Sequence, residues 1–163
     1  MSDPSEILKR RLQSVLDGVS DARGLHFFCQ IGGTYHDYGM LTLQISGQGK
    51  LLLGWRRDDD EQELYSVQLL EQDYLRFYEM LLELPFWECT PPRRTRRDNE
   101  ELNVHARLSD QSAGTWSGVQ FWAQDMKEFP VLRQLMYRIE RITMAISQGD
   151  IPYPDWDQIE LEE

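Results

Sequence analysis

Cysteine is scarce in this chain. Cys29 and Cys89 are the only two among 163 residues, and neither stands in a C-x-x-C or Cys/His spacing. A zinc site or redox pair of the usual spacing is thereby excluded, and two reduced, mostly buried thiols are expected. A disulfide between them would need an oxidising compartment, which no other feature suggests. Histidine is nearly as rare. His26, His36 and His105 lie in separate segments with no H-x-x-x-H or H-E-x-x-H pattern, so neither a metal nor another cofactor is expected. No apolar run approaches the roughly 20 residues of a membrane span. The start, residues 1–6, is polar and acidic, without the basic head and apolar stretch of a signal peptide. The expectation is a cytoplasmic protein with no membrane contact.

Catalytic signatures are missing too. Serine occurs, but not in a G-x-S-x-G elbow. Gly32-Gly33 lacks the spacing and the following helix of a phosphate-binding loop, and turn geometry explains it better. The acidic run at 58–61 lacks the alternation and the glycine of an EF-hand, and reads as a charged hairpin turn. Basic side chains are outnumbered 17 to 28, for a net charge of -11. A phosphate backbone would be repelled by most of such a surface, so nucleic acid is not an expected ligand. Acidity instead suits solubility or a basic protein partner. Six acidic side chains and no basic one fall in residues 150–163, which leaves -5 for residues 1–149.

What is present is a globular composition, 40% apolar with five Trp, seven Tyr and six Phe, long enough for one self-supporting core. The clearest pattern is a meander over residues 39–69. In 40–45, Leu41, Leu43 and Ile45 alternate with Met40, Thr42 and Gln44; Leu51, Leu53 and Trp55 repeat the alternation in 50–55, and Tyr65, Val67 and Leu69 in 64–69. Residues 25–31 could form a strand with Phe27, Cys29 and Ile31 on one face and His26, Phe28 and Gln30 on the other. A second hairpin is expected from 102–108, with Leu102, Val104, Ala106 and Leu108 inward and Asn103, His105 and Arg107 outward, and from 115–122.

Helices are expected at 4–19, 70–84 and 130–146. Asp3 or Ser2 caps the first and Pro4 suits its first turn; Leu8, Leu12, Val15, Leu16 and Val19 share one face while Lys9, Arg10 and Arg11 take the others. In the second, Leu70, Tyr74, Phe77, Leu81 and Leu84 make the stripe and Pro85 ends it, with Phe86-Trp87 tucking back as an aromatic plug. In the third, Leu132, Leu135, Met136, Ile139, Ile142, Thr143 and Ile146 mark the buried side and Gly149 the stop. The layout is α+β: an antiparallel sheet, made of a three-stranded meander and a second hairpin, covered by about three helices. One domain over 1–149 and an acidic C-terminal tail over 150–163 follow. The order of elements and the acidic charge are loosely similar to small secretion chaperones and bacterial immunity-type proteins, a likeness of fold and not of motif.

Function is read as partner binding. Arg93, Arg94, Arg96 and Arg97, in the longest expected loop, offer bidentate contacts to an anion or acidic partner, or simply offset nearby carboxylates. Trp55, Trp87, Trp116 and Trp122 are expected mostly in the core, but Trp122 could face outward opposite Phe121 as an interaction anchor, and Tyr153 and Trp156 punctuate the tail. The expected function is a non-enzymatic protein-binding module, immunity-, adaptor- or chaperone-like, with a protein partner. Two alternatives stand beside it. One is a small hydrolase or transferase using His36 as base and Asp37 to orient it, although the nucleophile is missing. The other is a docking subunit of a larger assembly, or a homodimer, joined through the first helix or the tail.

Overall fold

The computed structural model describes residues 3–33, 38–57, 62–92 and 102–156. The three-stranded meander and its neighbours become one six-stranded antiparallel sheet. Its strands are β1 (Leu25–Gly32), β2 (Met40–Ser46), β3 (Lys50–Arg56), β4 (Glu63–Gln68), β5 (Asn103–Asp110) and β6 (Thr115–Trp122), in the spatial order β4-β3-β2-β1-β5-β6. Three helices accompany them: α1 (Pro4–Leu16), α2 (Glu71–Glu83) and α3 (Pro130–Ser147). The α+β reading is thus correct, and the meander and the second hairpin form a single layer.

β1 is the joint. It pairs with β2 on one side and with β5 on the other, so Phe27 lies between Ile45 and Leu108, Cys29 between Leu43 and Ala106, and Ile31 between Leu41 and Val104. These rows are sealed from water and merge with Leu8 and Leu12 of α1, Phe77 and Leu81 of α2, and Leu132, Leu135 and Ile139 of α3 in one contiguous core. Alternation along each strand sends the other set of side chains to the opposite face. Among the described residues no helix lies on that face, and its side chains, Trp122 apart, are half-buried or exposed.

Local chemistry sets the element ends. Asp3 accepts the Ser5 backbone N–H at 3.3 Å and Pro4 opens α1. The helix stops at Leu16 and not at 19, because Gly18 turns left-handed at φ 76° and throws Val19 out to 79% exposure. Leu70 likewise falls outside its expected stripe: extended backbone makes it the residue before α2, and it is exposed. Phe86 and Trp87 do plug the core edge, in a short 3₁₀ turn. The Ser5 hydroxyl accepts from the Trp87 indole at 2.9 Å and donates to Glu88 at 2.6 Å, and Lys9 pairs with Glu88 at 2.7 Å. This latch pins the start of α1 to that turn.

Arg11 is the largest departure from the expected helix face. Its guanidinium turns inward to Asp110 at 3.0 Å and also donates to Ser20 and to the carbonyls of Asp21 and Arg23. Asp110 is fully enclosed on the covered side and takes the Ser112 backbone N–H as well. A long side chain leaving the polar flank of a helix can reach back under it. The pair therefore ties α1, the connection to β1 and the β5–β6 turn together.

Residues 150–156, expected as the start of a tail, pack along the domain. Ile151 is sealed from solvent, Tyr38 donates to the Pro152 carbonyl at 2.7 Å, and Tyr153 donates to the Met136 carbonyl of α3 at 2.7 Å.

Candidate functional site

The helix-free face of the sheet gathers the side chains that the strand patterns point outward. One row runs across all six strands in register: Ser66, Leu52, Gln44, Phe28, Arg107 and Gly118. At its centre Arg107 of β5 lies directly opposite Phe28 of β1, with its guanidinium 5.6 Å from the centre of that ring. The same guanidinium is 5.9 Å from the ring of Trp116 on β6. His105, two residues before Arg107, meets Phe28 edge to face at 6.2 Å. His26 shares a hydrogen bond with Gln44 at 3.1 Å. Two aromatic rings, a guanidinium and two imidazoles from β1, β5 and β6 thus form one cluster facing solvent.

Glycine shapes its border. A Cβ on Gly118 would lie 2.7 Å from the Ala106 carbonyl oxygen and crowd Arg107, so the position beside the guanidinium stays open. On one side of it Arg107, Ser109, Asp110, Gln111, Gly114, Thr115 and Trp116 frame a shallow hollow of about 240 Å³, the Asp110 carboxyl being turned away to Arg11. On the other, Gly118, Gln120 and Trp122 share a cleft of about 380 Å³ with residues 89–92. Trp116 is 62% exposed.

The electrostatics of the cluster favour neutral histidines. Burial lowers the pKa of His26, Arg107 adds to that, and the Gln44 hydrogen bond partly offsets it. Burial and then Arg107 lower His105 in the same direction. Nothing in this arrangement resembles a nucleophile with its base. Among the described residues no cluster of three His, Cys, Asp or Glu could hold a metal ion. The buried Cys29 thiol is pushed up to about 12, which makes it inert. The chemistry on offer is recognition by stacking and by guanidinium hydrogen bonding.

The site residues expected from sequence fall into two groups, those the structure describes and those it does not. Arg93, Arg94, Arg96 and Arg97, and the His36–Asp37 pair, lie outside the described residues. Trp122 does share the open face with Trp116 by strand parity, yet it is only 7% exposed and sits apart from the contiguous core. It closes β6 where Asp125 accepts its backbone N–H at 2.8 Å, and residues 89–92 wall its cleft. The exposed tryptophan is Trp116, six residues earlier. Tyr153 and Trp156 stand elsewhere, turned against α3 and lining a groove with Arg133, Tyr137 and Glu140. Burial raises the Tyr153 phenol well above its ordinary range, with the Trp156 indole partly offsetting it.

Sequence reasoning placed Phe28, His105 and Arg107 outward but could not join them, because only the β1–β5 pairing makes them neighbours. No protein-family model matches the chain, and no curated protein matches it either.

Proposed function

We propose that this protein is a non-enzymatic protein-binding module, of the adaptor, chaperone or immunity kind, that receives its partner on the open face of the sheet. One observation carries the reading: Arg107 held between Phe28 and an exposed Trp116 at the middle of a helix-free face. A solvated antiparallel face needs only polar side chains. Tryptophan and arginine are costly choices for solvent alone, and they are the residues that dominate binding energy at protein interfaces. The two unpaired cysteines support a reducing, cytoplasmic setting.

The test is paired affinity purification from the native host with the wild-type chain and with Trp116→Ala. A partner held at moderate salt by the wild type and lost by the variant is the expected result. The variant should keep its unfolding free energy within about 0.5 kcal/mol, as an exposed substitution does. Equal retention by both would move the contact away from this face, with Arg93, Arg94, Arg96 and Arg97 as the next residues to substitute.

A further inference from the structure

The chain has 28 acidic side chains, and none stands on the described part of the open face. Lys50, Arg56 and Arg107 do, with His26 and His105. The nearest carboxyl, that of Asp110, points to the covered side and is taken by Arg11 and the Ser112 N–H. Arg107 itself makes no hydrogen bond or ion pair with a described residue. Its guanidinium carbon lies 5.6 and 5.9 Å from the centres of the two aromatic rings, and its N–H groups meet no acceptor among the described residues. A guanidinium presents a planar fork matched to a carboxylate. The hollow beside it, at about 240 Å³, is smaller than the roughly 300–1,000 Å³ of small-molecule pockets and fits a single side chain.

We infer that the segment bound on this face is a short acidic peptide with an aromatic or aliphatic anchor, its carboxylate on Arg107 and its anchor in the hollow beside Trp116. The inference rests on the binding-module reading and supplies that reading with a ligand class. The charge of the whole chain points instead to a basic partner, but the charge that meets a ligand here is local and of the opposite sign. Surrounding acidity repels an acidic ligand everywhere else, which favours one docking position over others. A nucleic acid also combines anions with stacking groups, yet its phosphates would run past the three cations onto acidic surface.

A random dodecapeptide library displayed on phage, selected on the wild-type chain and depleted on folded Arg107→Gln, tests this. Enriched sequences should be rich in Asp and Glu around one aromatic or large aliphatic residue. A synthetic peptide of that sequence should bind at least tenfold more weakly to Arg107→Gln and to Trp116→Ala, and progressively more weakly as salt rises. Basic or neutral enriched sequences, or no enrichment over the variant, would overturn the inference. Tighter binding of an eight-nucleotide oligothymidine than of the selected peptide would overturn it in favour of nucleic acid. A wild-type dimer in sedimentation that Trp116→Ala converts to monomer would overturn it in favour of a second copy of this chain. If the affinity-purified partner is lost by Trp116→Ala but acidic peptides are not selected, the ligand class fails and the binding-module reading stands; if the partner is indifferent to Trp116→Ala, that reading fails with it.

Discussion

Phe27 and Phe28 are consecutive residues of one strand, and the two faces of the sheet treat them in opposite ways. Phe27 meets Phe77 of α2 at 5.0 Å and Phe86 at 5.8 Å, both edge to face, and loses all contact with water. Phe28 meets an imidazole and a guanidinium and remains partly wet. On the covered face the aromatic ring is one of many apolar groups packed at crystal-like density. On the open face it orients a cation. Burial area governs the first side, and the second is governed by which polar edges are left available. Stability should therefore be concentrated in one face and recognition in the other.

Substitution at the two phenylalanines would test that division most sharply. Phe27→Ala should cost about 3–5 kcal/mol, the usual loss for a large aromatic taken from a core, whereas Phe28→Ala should cost about 1 kcal/mol, near the centre of the range for point substitutions. Urea unfolding of the two variants compares them directly, and equal losses would erase the distinction between the faces. The covered face also contains the enclosed carboxylate of Asp110. Asp110→Ala should destabilise by about 3 kcal/mol, the low end for a broken buried pair, because it leaves the half-buried Arg11 guanidinium without its carboxylate. A near-neutral result would mean that Arg11 swings out to solvent.

Acid should act through the open face. His26 and His105 have their pKa lowered in the folded protein from an ordinary value near 6.5, by burial first and by Arg107. The unfolded chain then takes up these protons before the folded one does as pH falls. Their contribution to stability is full above about 6.5 and is lost as pH drops below that value towards the lowered folded pKa. Urea midpoints between pH 5 and 8 should show this loss, and replacing both histidines by Gln should flatten it. The smallest expected effect is chemical. Thiol reagents should modify half-buried Cys89 slowly and Cys29 only after unfolding.

Much of the covered face was legible from alternation alone. Leu41, Leu43 and Ile45 in β2, and Val104, Ala106 and Leu108 in β5, are buried as their spacing predicts. The same parity marked Phe28 and Arg107 as outward. Their juxtaposition was not legible, since it depends on which strands pair, and His26 and Ser109 stand 83 residues apart in sequence yet face each other. Parity also could not separate Trp116 from Trp122, because what covers Trp122 comes from the strand's end and from residues 89–92. Arg11 misled for another reason: helical periodicity locates a Cβ, whereas a long side chain carries its charge several ångströms further. The segment 150–156 has no period to read, and it is held by single contacts such as the Tyr153 hydroxyl on the Met136 carbonyl.

The position of β1 also bears on how the chain reaches its native state. Its partners on one side follow at once in sequence, but its partner on the other is made only after the whole of α2 and the segment beyond it. During synthesis the first four strands can zip up as a meander while β1 still presents a bare row of amides and carbonyls. A bare strand edge of this kind is a template for pairing with another chain. Closing it requires a distant contact, which slows folding compared with sheets built from neighbours alone. The strand most deeply enclosed in the finished molecule is therefore the one most exposed to mispairing while the molecule is being made.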